Sequence, residues 1–147
     1  MEYSDSFQLA ADFVQYTHSN IFLTGKAGTG KTTFLKFCKE NNLKNTAIVA
    51  PTGVAAMNAG GTTIHSFFQL PFNPFLPTNR MFHSEDGAND KNSLLSRLKL
   101  TGERREVMRN LELLIIDEIS MVRCDLLDAI DVVLRHVRNG VLFSPHN

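Results

Sequence analysis

Residues 25–32 read Gly-Lys-Ala-Gly-Thr-Gly-Lys-Thr, and every required position of the pattern G-x-x-x-x-G-K-[ST] is filled. No other stretch narrows the choice of fold so far, because such a loop works only between a strand and a helix. Gly25, Gly28 and Gly30 are expected to take positive φ and turn successive N–H groups inward around an anion. Lys26, Ala27 and Thr29 supply the intervening backbone, and Thr33 completes the first turn of the helix beyond. That helix aims its positive end at the same anion. Lys31 would reach the β- and γ-phosphates of a nucleotide, and the Thr32 hydroxyl would take a place on Mg²⁺.

The flanks agree with this reading. Asn20–Thr24 is a short apolar run expected to form a buried strand that enters the loop. Phe34, Leu35 and Phe37 lie on a helical segment that ends near Asn41-Asn42. A second element supplies acids. Leu113-Leu114-Ile115-Ile116-Asp117-Glu118 is four aliphatics and two carboxylates, the pattern of a buried parallel strand opening on a ligand crevice. Asp117 is suited to hold Mg²⁺, and Glu118 to orient or deprotonate an attacking water. By itself the pair reads equally well as the acidic start of the next helix. A base beside a metal ligand favours hydrolysis over phosphoryl transfer to a metabolite.

Composition limits the rest. A chain of 147 residues fits one domain, and an apolar fraction of 43% is ordinary for a soluble fold. No apolar run approaches membrane-spanning length, and the start, MEYSDSFQLAADF, lacks the regions of a signal peptide. Cys38 and Cys124 match no metal or redox spacing, so an intracellular, cytoplasmic protein without a membrane partner is expected. Fifteen basic and fifteen acidic residues cancel. No global basic field announces nucleic acid, although a short groove along a strand needs few donors.

Ser4 or Asp5 can cap a first helix with an apolar face of Phe7, Ala10, Phe13 and Val14. Thr46–Ala50 reads as a strand, Pro51-Thr52-Gly53 as its exit loop, and 54–58 and 64–68 as short helices. Residues 70–92, with Pro71, Pro74 and Pro77, read as a long surface excursion, and 93–109 as helix-compatible. Val122, Leu126, Leu127, Ile130, Val133, Leu134 and Val137 recur at helical spacing. Strands alternating with helices imply an α/β fold: a parallel sheet with helices on both faces.

Three stretches together carry a resemblance: FLTGKAGTGKT, APTGVAAMNAGGTTIHSFF from Ala50 to Phe68, and LLIIDEISMV from Leu113 to Val122. They resemble successive motifs of the Pif-type DNA helicases, in the branch of superfamily one that also contains RecD. SMVRCDLLDAIDVVLRHVR resembles the helical stretch between that family's second and third motifs. The resemblance spans about residues 5–138 and implies a RecA-like P-loop domain. It also implies ATP with Mg²⁺ as cofactors and single-stranded DNA as partner, with 5′-to-3′ translocation and duplex unwinding.

Roles then pass to matching positions. Gln8 resembles the glutamine that reads adenine, an amide suited to the N6/N7 edge, though it also fits an ordinary polar helix face. Pro51, Thr52 and Gly53 match a loop that touches the DNA backbone. His65, Ser66 and Phe67 match a segment along the DNA path, where an aromatic can stack on a base. Core packing is the alternative for Phe67 and Phe68 and applies to one of them; a structural histidine is the alternative for His65.

The family pattern continues with a Gly-Asp…Gln motif and a second RecA-like domain that supplies transition-state arginines. Residues 140–147 do not resemble that continuation, and the eight arginines sit outside any family arginine motif. The expectation is therefore the N-terminal part of a helicase, a monomer, holding phosphates and metal yet hydrolysing poorly. The rival readings are a P-loop ATPase with a non-DNA client and an inactive nucleotide- or DNA-binding module.

Overall fold

The computed structural model describes residues 4–41, 44–76 and 90–138. Helix α1 (Asp5–Tyr16) starts where Ser4 accepts a hydrogen bond from the Phe7 N–H at 3.4 Å. It turns Ala11 and Val14 inward and sets the Phe7 ring edge-on to Phe34 and Phe37 of α2 (Lys31–Asn41), at 5.1 and 5.2 Å. Phe13, expected on the apolar face, is instead 45% exposed. Lys44 donates to the carbonyls of Val14 and Thr17, both at 2.6 Å, so a cation closes the negative end of α1.

Strand β1 (Thr46–Ala50) forms as expected and lies at the centre of the sheet. On one side is β2 (Thr62–Thr63), reached through α3 (Gly53–Ala59); on the other is β3 (Leu113–Ile116). Both neighbours run parallel to β1, with Ala50 opposite Thr63 and Val49 opposite Ile116. Between β2 and β3 come α4 (Ile64–Phe68), α5 (Lys91–Arg97) and α6 (Gly102–Asn110), and α7 (Cys124–Val137) follows β3.

Strand side chains alternate between faces, and both faces are covered. Ala11, Val14, Phe34 and Cys38 pack against Leu113 and Ile115, while Leu35 and Ala59 meet Ile48. On the opposite side Ile64, Phe68, Leu94, Met108 and Val133 join Val49, Leu114 and Ile116. The chain is therefore an α/β domain with a parallel sheet between helical layers. Burial lifts the Cys38 thiol to about 11, so it packs as a small apolar group.

Several sequence expectations need correction. Asn20–Thr24 is not a strand, and Ile21, Phe22 and Leu23 are 41, 76 and 40% exposed. An apolar run marks where a strand could lie, but its ladder must come from a neighbour. Among the described residues the sheet ends at β3, which pairs with β1 alone. β3 is half-buried rather than buried for the same reason. The 70–92 stretch is not all surface either, since Leu70 and Phe75 are in the core. Its residues 77–89 lie outside the described set, as do 140–147. The helix-compatible region is two helices, broken before Thr101, which caps α6. Leu127 faces out from α7 at 44% exposure. No helix among the described residues is long and apolar enough to cross a membrane.

Candidate nucleotide-binding site

The three strands are parallel, so their carboxyl ends share one edge of the sheet. At that edge lie Pro51–Gly53 after β1, Ile64–Phe67 after β2, and Asp117-Glu118 after β3. Lys39, near the end of α2, donates to the Gly60 carbonyl ahead of β2 at 2.7 Å, so α2 runs back along the sheet with its first turn toward the carboxyl edge. Topology thus gathers the glycine loop, the acids and the two segments expected to touch DNA.

The loop itself is shaped for an anion. Gly28 and Gly30 have φ of 78° and 92°, the left-handed values that turn N–H groups inward. Gly25 does not share that conformation, contrary to expectation. It is small for another reason: a Cβ there would stand 2.6 Å from the Thr29 Oγ1. Thr29 in turn donates from that hydroxyl to the Lys26 carbonyl at 2.8 Å, closing the turn around Ala27. The first bond of α2 runs from the Phe34 N–H to the Gly30 carbonyl, so the N–H groups of Lys31, Thr32 and Thr33 precede the helical ladder. Those donors and the positive helix end suit a polyphosphate. Lys31 Nζ donates to the carbonyls of Gly25 at 2.7 Å and Lys26 at 2.9 Å, which holds its charge against the loop it serves.

Asp117 continues the ladder beyond β3, donating its N–H to the Val49 carbonyl at 2.9 Å. Its Oδ1 accepts the Glu118 N–H at 3.0 Å. The carboxylate is half-buried at the sheet edge, and its oxygens are the donor type that a hard divalent cation takes. Glu118 has φ 53° and ψ 43°, a left-handed conformation that a glutamate adopts at some cost. It precedes a single 3₁₀ turn (Ile119–Met121) and makes no side-chain capping bond to it. The two acids thus do stand at a helical start, but without a side-chain bond to it, and the Glu118 carboxylate is exposed.

Gln8 is exposed on α1, its amide donating to Asp12 Oδ1 at 3.0 Å. The aromatic packing of α1 on α2 sets it on the helix beside the phosphate helix. Thr52 caps α3 by accepting the Ala55 N–H at 3.2 Å, and Thr63 caps α4 by accepting the Ser66 N–H at 3.2 Å. Because Ala50 pairs with Thr63, Thr52 and His65 follow adjacent strand ends at the same level. Ser66 is exposed and His65 half-buried. Phe67 must be corrected: it is 6% exposed and meets the Phe68 ring edge-on at 4.8 Å, inside the core. Its ring is not available to a base, and core packing holds for both phenylalanines.

The PIF1-like helicase family model matches residues 4–144. The chain belongs to this family. It is 34% identical over 126 residues to "ATP-dependent DNA helicase PIF1" of Saccharomyces cerevisiae, a match that covers 82% of this chain and 13% of the yeast protein. A crystal structure of Bacteroides sp Pif1 in complex with ADP-AlF4 superposes with a TM-score of 0.80 at 43% identity, over 96% of this chain and 29% of that one. A Bacteroides Pif1 bound to ssDNA gives 0.77 at the same identity and coverage. This PIF1-like chain thus spans a small part of the length of its relatives. Phe72 stacks on His65, and the Arg123–Asp125 pair lies on the same side of the fold; the sequence marks neither as a site. The available signal was an aromatic between Pro71 and Pro74, hidden in a stretch read as mere surface.

Proposed function

We propose that this chain is the nucleotide-binding motor domain of an ATP-dependent DNA helicase, acting inside the cell as a monomer on single-stranded DNA in the 5′-to-3′ direction. The observation that carries the proposal is one sheet edge holding an anion-shaped glycine loop, an acid pair and two capped segments without charge. The backbone N–H groups of Gly28–Thr33 would hold the phosphates, with Lys31 balancing their charge. Thr32 and Asp117 would hold Mg²⁺, and Gln8 would read the base. ATP with Mg²⁺, when bound, supplies the phosphoryl group whose hydrolysis drives movement. The Glu118 carboxylate takes the proton of the attacking water. Thr52, Gly53, His65 and Ser66 present hydroxyls and backbone donors to the strand, contacts that position it without reading sequence.

Calorimetry with Mg²⁺–ATP tests the core of this reading. Lys31→Ala removes a charge-assisted donor to phosphate, worth about 1.5–3 kcal/mol, so affinity should fall roughly 10- to 100-fold. Unchanged affinity would overturn the site. Stimulation of ATP turnover by single-stranded DNA separates the helicase reading from an ATPase with another client.

A further inference from the structure

Phe72 is 87% exposed, the most of any large apolar side chain among the described residues. A side chain so placed gains little from folding, yet it is held firmly. Leu70 and Phe75 on either side of it are 6 and 3% exposed and anchor the segment in the core. The Leu70 N–H donates to the His65 carbonyl at 3.1 Å, and the Phe75 N–H donates to Asp125 Oδ2 at 3.1 Å. Pro71 and Pro74 fix two further φ angles. The Phe72 ring then lies on the His65 imidazole, centroids 4.8 Å apart and planes inclined by 23°. One ring face is backed by an aromatic and the other is open to water.

The surroundings narrow the occupant. The hollow beside the ring is about 110 Å³, well below the several hundred Å³ of a site that encloses a ligand. It is also lined in part by Asn73, Arg123 and Asp125, and so is not the continuous apolar patch that a protein partner would seek. Burial holds His65 below its ordinary value, so the imidazole stacks as a neutral ring. The cation is Arg123, 68% exposed and oriented by paired bonds to Asp125 of 2.9 and 3.0 Å. An open aromatic face with a fixed guanidinium nearby is what a nucleobase and its phosphate require.

We propose that Phe72, backed by His65, is a stacking platform for one base of single-stranded nucleic acid, with Arg123 meeting a neighbouring phosphate. This rests on the DNA-binding reading above and moves base stacking from the buried Phe67 to a residue outside the quoted motifs. Phe72 is a binding residue, and its exposure means that its replacement leaves the fold intact.

Fluorescence anisotropy of the 147-residue chain with labelled oligothymidylate tests the proposal. Phe72→Ala should weaken binding roughly 5- to 100-fold, the span seen when one base loses its aromatic partner. The difference should vanish on an abasic strand of equal charge. The chain contains no tryptophan, so Phe72→Trp supplies a single indole whose emission should be quenched by the oligomer while affinity is kept. Binding by Phe72→Ala equal to that of the parent chain, or an indole blind to saturating DNA, overturns the platform and leaves the DNA reading standing. Failure of the parent chain to bind either strand overturns both.

Discussion

Glu118, the proposed base, holds its position against its own backbone. A glutamate at φ 53° gives up roughly 1–3 kcal/mol relative to an ordinary conformation, and no capping bond repays it. Glu118→Gly should therefore raise thermal stability, by about 1 kcal/mol or ~2–4 °C for a domain of this size, while abolishing turnover in a form that hydrolyses ATP. Glu118→Gln keeps size and backbone, so ATP should bind as before and turnover should fall by roughly 10²–10⁴. Melting curves and single-turnover assays of the two variants separate the strained backbone from the missing base. Stability unchanged in Glu118→Gly would mean that the neighbouring chain, not the side chain, sets that conformation. At Gly30 the logic reverses: a Cβ would have room, but φ of 92° strains any residue with a side chain, so Gly30→Ala should cost about 1–3 kcal/mol and blunt nucleotide binding, read from denaturant titration and calorimetry.

Among the elements, those that bury a periodic face were legible in the sequence. β1 and β3 appear with their expected bounds, and α7 buries Ala129, Ile130, Val133, Leu134 and Val137 on one stripe. Their patterns are local, and packing follows them. What was not legible depends on neighbours. The 20–24 run looks like a strand but has no ladder, and Phe67, placed along the DNA path by the family resemblance, packs in the core. The glycine loop and acids could be read because their chemistry demands particular residues in order; the setting of Phe72 could not, because it depends on the His65 ring and on the bond from the Phe75 N–H to the distant Asp125. That contact has a pH signature. Burial would raise the Asp125 carboxyl, but the Phe75 N–H and the bonds and charge of Arg123 outweigh it and hold the group below its usual value. A lowered acid stabilises fully above its unfolded value, about 4, and loses that contribution as pH falls through the folded value. Asp125→Ala should therefore cost about 1–2 kcal/mol at neutral pH, with the gap to the parent chain closing in strong acid. A constant gap across a pH series of urea melts would contradict it.

For the whole molecule, movement along a strand needs two grips that alternate, and these residues build one sheet with one grip. We expect the 147-residue chain on its own to bind Mg²⁺–ATP yet neither travel nor unwind. Its turnover should be lower by roughly 10³–10⁵ where no arginine meets the transition state. Strand-displacement assays over a concentration series check this, and unwinding that scales with a single copy would refute it. The sheet edge has a further consequence, for handling rather than for catalysis. Beyond β3 no strand follows among the described residues, so Leu113–Ile116 offers a short uncharged rim to other copies. Glu112 on one side and Asp117-Glu118 on the other bracket that rim with negative charge, acting as gatekeepers against stacking rim to rim. The acids proposed for metal and water should thus also discourage pairing at this rim. Neutral replacements made to silence turnover, such as Asp117→Asn with Glu118→Gln, should scatter more light on standing than the parent chain, and sooner in high salt, where the remaining charge is screened.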